Sequence, residues 1–226
     1  MQLRETVVKT LTLALRQAAA LKSYEQYRAR LWGAMVRLYE GGRDGNFMAS
    51  FARSIDEQLT RAWNAGADDV GVSPDEMTAE DMVILGAIID NENNFIDGVM
   101  GEIDAARADP EYTREQFDKQ WGARCDLWAN RWSETVNRAR MHFGSKTRLE
   151  WRLGATEQHC DTCSRLNGIV AFGYEWDEAR IQPQAPPNAM LTCSGWRCDC
   201  SLEPTTRRRT GRALDRLLEI GLSGKL

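Results

Sequence analysis

The chain has 226 residues, 42% hydrophobic and 27% charged, with a formal net charge of -4; these ordinary values exclude disorder as the main state and offer no overall basic surface for a phosphate backbone. The longest apolar run, which includes Val83 to Ile89, is far short of the roughly 20 residues that span a bilayer. The start lacks the apolar core and small-residue cleavage site of a signal peptide, so the expectation is a protein of one domain or two small ones, made in a cytoplasm and without a membrane partner.

The charge is segregated. Residues 68–118 carry two basic residues against fifteen acidic ones, and the tail from Arg207 carries six basic against two acidic. An acidic stretch of this kind either binds basic protein surfaces or serves solubility.

In chain order, Leu3, Val7, Leu11, Leu15 and Ala18, then Tyr27, Leu31, Met35 and Leu38, recur at helical spacing and predict one long or two consecutive helices. Gly41, Gly42, Asp44 and Gly45 break them. A helix over about 47–65 follows, with Phe51, Ile55, Leu59 and Ala62 on one face and Gly66 as its terminator. Ser73, Pro74 and Glu76 match a cap, first-turn proline and capping-box glutamate, opening there or a few residues later a third helix that runs to about Ala108. Its apolar stretch Met82 to Ile89 predicts a helix buried between others. Thr113 and Gln116 offer another capping box, before the clearest periodicity in the chain: Phe117, Trp121, Cys125, Trp128, Trp132, Val136, Ala139 and Phe143. That stripe reads as core, with Cys125 a small buried hydrophobe.

After Gly144, Gly, Pro and Cys concentrate, and short extended segments such as Gly168 to Phe172 appear. Gln182 to Asn188, with Pro183, Pro186 and Pro187, cannot be a helix interior or central strand and predicts an exposed connection. Leu214, Leu217, Leu218 and Leu222 predict a short last helix. The fold class expected is mainly α: a helical domain over 1–149, a small Cys-rich, loop-rich α+β module with short strands over 150–204, and a helical tail over 205–226.

Five of the six cysteines fall between Cys160 and Cys200. Cys160 and Cys163 form a C-x-x-C, Cys198 and Cys200 a C-x-C, with Cys193 and His159 nearby. Three readings are open: a structural Zn²⁺ held by Cys160, Cys163, Cys198 and Cys200, reduced thiols held by the fold alone, and disulfides. On the first, the metal replaces a core in a module with few large aliphatics.

The segment Trp151-Arg152-Leu153-Gly154-Ala155-Thr156-Glu157-Gln158-His159-Cys160-Asp161-Thr162-Cys163, the turn Leu166-Asn167-Gly168 and, after a proline-rich gap, Trp196-Arg197-Cys198-Asp199-Cys200-Ser201-Leu202 together resemble the Mu F-like phage head morphogenesis proteins, the minor head proteins of tailed phages and prophages. The resemblance covers about residues 50–205, and the cysteine module is its specific part. Many members place a histidine three residues before the C-x-C; here that place is Gly195, with Cys193 the available substitute. The resemblance implies a low-copy virion component, not an enzyme, made in the host cytoplasm. Its implied partners are the phage portal protein and capsid or scaffold proteins, its stage is prohead assembly, and some members are delivered with the DNA.

Two other classes stand beside this one. A zinc-dependent nucleic-acid-binding module acting in packaging would use Trp196, Arg197 and the cluster Arg207, Arg208, Arg209 and Arg212, the cluster reading otherwise as a solvated helix start. A thiol enzyme would use Cys160 or another thiol with His159 or His142.

Overall fold

The structure, a computed structural model, describes residues 24–42, 46–155, 158–196 and 198–223. The first helix, α1, is described over 24–41; the expectation for Leu3 to Ala18 lies outside the described residues. There follow α2 (Phe47–Asp69), a 3-10 turn (Pro74–Glu76), α3 (Ala79–Asn93), α4 (Ile96–Ala108), α5 (Arg114–Phe143), β1 (Arg148–Arg152), α6 (Asp161–Leu166), β2 (Val170–Phe172), α7 (Gly173–Glu178), β3 (Ser201–Pro204) and α8 (Ala213–Ser223). The protein is mainly helical, with one small antiparallel sheet of order β2-β1-β3.

Two compact units divide the chain, Met1–Gln58 with Ile89–Asn130, and Leu59–Ile88 with Arg131–Leu226. These limits differ from a division at residues 149 and 204, because α2 and α5 each contribute one end to either unit. In the first unit, Tyr27, Leu31, Met35 and Leu38 of α1 are fully buried or nearly so, as are Phe51 and Ile55 of α2 and Phe117, Trp121 and Cys125 of α5. The rings interlock: Tyr39 stacks on Phe117 at 4.2 Å and Phe51 meets Trp128 edge-on at 5.1 Å. The one buried carboxylate of α3, Glu92, accepts the Trp128 indole N–H at 3.0 Å.

In the second unit the C-terminal half of α5 is fastened to the sheet. The Arg140 guanidinium, 12% exposed, donates to Asp69 at the end of α2 and to the Leu202 carbonyl at 2.8 Å, and lies 3.2 Å from Glu203. Asn137 accepts the Leu202 N–H at 3.0 Å. Gly66 lies inside α2, which corrects its reading as a terminator: a Cβ there would sit 2.4 Å from the Val136 carbonyl oxygen and 2.6 Å from Ala139 Cβ. The glycine is a notch for α5 rather than a stop.

Other expectations are refined or change. The Ser73–Glu76 box exists, with Glu76 accepting the Ser73 N–H at 2.8 Å, but it closes only the 3-10 turn. The helix proper starts a few residues later, the other start expected, at a second box in which Asp81 accepts the Thr78 N–H at 2.7 Å and Thr78 Oγ1 accepts the Asp81 N–H at 3.3 Å. The long third helix is broken at 94–95 into α3 and α4. Nor is α3 buried between others: of Met82–Ile89 only Leu85 is buried, while Met82 and Val83 are 48% and 71% exposed. Helical periodicity cannot separate a buried apolar helix from one that leaves an apolar face uncovered. The proline-bearing connection is also less exposed than expected, since Gln182 and Pro183 are buried and the Gln182 amide donates to the Glu134 carbonyl at 3.1 Å.

The module has a hydrophobic core of its own, which corrects the premise that a metal must replace one. Leu149 and Trp151 of β1, Leu202 of β3, Leu166, Ile169, Trp176 and Ile181 pack with Ala213, Leu217 and Ile220 of α8. In β1 the consecutive residues Leu149, Glu150 and Trp151 are all buried, and the apolar residues of α8 share one core with those of the sheet. Sequence reading undervalues this core because its parts lie on both sides of residues 150–204.

A buried ion pair joins α7 to the segment before α8. Glu175, its side chain 2% exposed, accepts the Phe172 N–H at 2.9 Å and the forked guanidinium of Arg209, whose Nε lies at 2.8 Å. Arg209 above all, then the Phe172 N–H, holds the Glu175 carboxyl below its ordinary value of 4.5 against burial. Arg209→Ala strands this carboxylate and should cost about 2–3 kcal/mol, below the fully buried case because the arginine head is partly solvated. A depressed carboxyl contributes fully above its unfolded value and loses the contribution as pH falls through the folded value. Urea titrations of both proteins should therefore show a gap that is widest above about pH 4.5 and narrows below it; a gap that widens with acid contradicts the pairing.

Candidate metal centre

The C-x-x-C forms the entrance to α6. Cys160 is its N-cap, in extended conformation, and its sulfur accepts the Cys163 N–H at 3.4 Å; the helical turn then places Cys163 next to it, 2% exposed. Leu166-Asn167-Gly168 turns the chain back, with the Gly168 N–H donating to the Trp151 carbonyl at 2.9 Å, and β2 pairs with β1.

The C-x-C runs directly into β3. Alternate residues of an extended segment face one side, and here Asp199 is exposed, Cys198 half-buried and Cys200 fully buried. Pairing of Trp151 with Leu202 and Arg152 with Ser201 brings this segment beside the loop after β1, where the Gly154 N–H points at the Cys200 sulfur.

Between the two, the proline-bearing excursion is pinned. The Asn188 side chain donates to the carbonyls of Arg180 and Gln182 at 3.3 and 3.2 Å, and the Gln184 amide donates to the Cys200 carbonyl at 3.1 Å. The Thr162 and Thr192 hydroxyls are hydrogen-bonded, and the Thr192 N–H donates to Thr162 Oγ1 at 3.2 Å. Each threonine precedes a cysteine, so this clasp sets Cys193 beside Cys163.

The result is one cluster of five thiols. The Cys163 sulfur is 3.9 Å from both the Cys193 and the Cys198 sulfurs. Cys160, Cys163 and Cys193 form one set of sulfurs within 4.8 Å of one another, and Cys163, Cys198 and Cys200 a second. Cys163 is common to both sets, so the structure places Cys160 with Cys163 on one side and Cys198 and Cys200 with Cys163 on the other, and adds Cys193 to the first, a residue that the C-x-x-C and C-x-C spacings do not single out. The missed signal was the repeat of Thr before Cys at 162–163 and 192–193. Such a cluster could hold a metal ion. Sulfurs around a tetrahedral ion of soft-ligand type lie roughly 3.8 Å apart, close to the two separations found.

Proton sharing fits that use. Hydrogen bonds to Cys193, Cys198 and Cys200, then burial, push the Cys163 thiol up, while the same contacts hold Cys198 and Cys200 down. The Trp151 indole N–H, buried and with no oxygen or nitrogen partner, lies toward Cys200, a donor suited to a thiolate. At Gly195, φ is +81° and a Cβ would meet Ala185 C and Pro186 N at 3.0 Å. No histidine fits there.

The other candidate residues are placed elsewhere. Cys125 is buried in the first unit, its sulfur 3.4 Å from that of Met35, and burial pushes its thiol up to about 12. His142 is bonded to Asp81 at 2.5 Å and packs on Trp63 at 5.6 Å, beside a cavity of about 300 Å³ that Ser145, Tyr174 and Arg138 also line. His159 is half-buried next to Cys160. Of the arginines read as a nucleic-acid contact, Arg207 pairs with the fully buried Glu150, Arg209 with Glu175 and Arg212 with Asp215, while Arg208 is exposed. Trp196 is exposed and Arg197 lies outside the described residues. No helix is long and apolar enough to cross a membrane among the described residues.

Compared with protein-family models, with curated proteins and with solved structures, the chain matches none.

The thiols should differ in reactivity. In native protein treated with iodoacetamide and read by peptide mass spectrometry, Cys125 should remain unmodified until the fold is opened, because the thiolate is the nucleophile and burial disfavours it. Early labelling of Cys125 contradicts its burial.

Proposed function

We propose that this protein is a phage minor head protein of the Mu F-like type. It is a low-copy, non-catalytic component that docks on the portal and inner capsid or scaffold during prohead assembly, remains in the virion, and in some systems leaves with the DNA. The observation that carries the reading is the thiol cluster: the two cysteine segments that bear the resemblance, separated in sequence by a proline-bearing excursion, meet with Cys163 and Cys200 buried and Cys160, Cys193 and Cys198 half-buried. Closed thiolate sites serve structure, whereas catalytic ones keep a place for water.

In this reading the bound ion is Zn²⁺, which suits soft thiolates, and Cys160, Cys163, Cys198 and Cys200 are the ligand set that the sequence pattern supplies. Because the module also has an apolar core, the ion locks the fold rather than creating it. Purified protein should carry about one zinc per chain. Chelation should lower its melting temperature while leaving the helical circular dichroism intact. Metal-free protein with unchanged melting defeats the zinc reading.

The docking part draws on α3, where Met82 and Val83 stand exposed in the most acidic stretch of the chain. An apolar strip among carboxylates suits a basic protein surface better than a phosphate backbone. Commitment of Arg207 and Arg209 to internal carboxylates weighs the same way against nucleic acid. The double substitution Met82→Ser with Val83→Asp should change stability by less than about 0.5 kcal/mol per site, as exposed positions do, yet remove the protein from assembled heads. Heads that lack the protein but package and infect normally overturn the assembly role.

A further inference from the structure

The cavity of about 300 Å³ in the second unit has no cysteine in its lining and plays no part in the readings above. On its polar side α5 contributes Arg138 and His142, the turn after α5 contributes Ser145, and α7 contributes Tyr174 and Asp177. Ile84 of α3 and the buried Met141 of α5 supply apolar surface.

These walls are fastened to one another. Asp81 at the start of α3 holds the His142 imidazole at 2.5 Å and caps its own helix through the Thr78 N–H. The Tyr174 N–H donates to the Ser145 carbonyl and the Gly173 N–H to the Thr147 carbonyl, both at 3.1 Å. A Cβ on Gly173 would lie 2.4 Å from the Gly144 oxygen and 2.6 Å from the Met141 oxygen, so α7 reaches the end of α5 only because position 173 is glycine. A cavity between elements fixed in this way is formed before a ligand arrives, as small-molecule sites usually are.

The fold leaves the polar groups of the cavity unused. Among the described residues, the Arg138 guanidinium, the Asp177 carboxylate and the hydroxyls of Ser145 and Tyr174 have no hydrogen-bond or ion-pair partner in the protein. A single exposed charge without a partner is ordinary. A cation and an anion on two walls of one cavity, unpaired with each other, select for a ligand that carries both signs. A purely anionic ligand would meet Asp177 and a purely cationic one Arg138, each an approach of like charges. At about 30 Å³ per water the volume corresponds to roughly ten waters, the size of an amino acid with a large side chain or of a small dipeptide.

We propose that this cavity binds a small zwitterion of the amino-acid or dipeptide type. The ligand carboxylate takes the planar fork of Arg138, which suits it bidentately, the ammonium pairs with Asp177, and the apolar side chain rests on Ile84 and Met141. The site depends neither on the metal reading nor on the assembly role.

Isothermal titration calorimetry on the full chain tests this with L-leucine, L-phenylalanine and L-leucyl-L-leucine. Each is compared with its N-acetyl form, which lacks the cation, and its carboxyl-amidated form, which lacks the anion. At least one zwitterion should bind with a Kd of about 1 mM or tighter, and blocking either end should weaken it about 10-fold or more. Arg138→Ala should weaken the zwitterion by the same factor and no longer distinguish it from the amidated form. Asp177→Asn should likewise no longer distinguish it from the N-acetyl form. Both positions are exposed, so both variants should keep wild-type circular dichroism and melting. Absence of binding by all three zwitterions at about 10 mM overturns the proposal. So does equal binding of the blocked forms by wild type, or a variant that still discriminates the end it has lost the means to hold.

Discussion

The hydrogen-bonded pair Thr162 and Thr192 is the contact on which the arrangement of the cysteines depends. The C-x-x-C and C-x-C segments are brought near each other by ordinary means, a helix N-cap on one side and a strand pairing on the other. The segment bearing Cys193 has neither helix nor strand to position it. What holds it is a hydroxyl that receives the Thr192 N–H, so that the residue after each threonine presents its sulfur to the other at 3.9 Å. Buried polar groups that lack such partners cost about 1–3 kcal/mol each, and here the donors and acceptors of an irregular excursion are consumed one after another by Asn188, Gln184 and Thr162.

That bonding changes what a metal would contribute. In a small domain without a core, binding energy of the ion is folding energy. The module here has Trp151 and Trp176 fully buried, ring centroids 5.7 Å apart, under α8, and a buried Glu175–Arg209 pair between α7 and the approach to α8. These contacts exist whether or not the thiols are bridged. Thiols that meet without an ion gain only weak sulfur hydrogen bonds, and several of them facing one another underuse donors that are strong ligands when deprotonated. The cluster is thus best understood as an addition to a folded unit, tying the excursion to it.

Much of this was legible in the sequence. The stripe from Phe117 to Phe143 forms one helix, with Phe117, Trp121, Cys125 and Ala139 fully buried, because eight positions at a constant spacing admit only one period. The Thr113–Gln116 box, the α2 face and, within the expected 168–172, the strand at 170–172 were readable for the same local reason. Gly66 was not, since a helix stop and a helix–helix notch are both met by the smallest residue and differ only in what lies opposite. The exposure of Met82 and Val83 was hidden because α3 is apolar on most sides, so that no face is marked as inward. The role of Cys193 and the internal pairing of Arg207 and Arg209 required knowing which residues far away in sequence lie opposite, which no spacing encodes.

The arginines illustrate how such pairing redirects a functional reading. A run of three basic residues on a chain reads as a contact for phosphate when nothing else is known of it. Within the fold, Glu150 and Glu175 have their side chains 0% and 2% exposed, and a buried carboxylate must find a cation or protonate. Arg207 and Arg209 meet that need from a segment with no regular structure. Withdrawing them to bind an external phosphate would strand the buried Glu175 charge and leave Glu150 to Arg152 alone, at 2.9 Å, a penalty any nucleic-acid contact would have to offset. The exposed acidic and apolar surface of α3 carries no such prior commitment among its exposed side chains Met82 and Val83. An interaction made there adds to the stability of the fold, whereas one made through the arginines subtracts from it, and this difference favours protein docking over nucleic-acid binding.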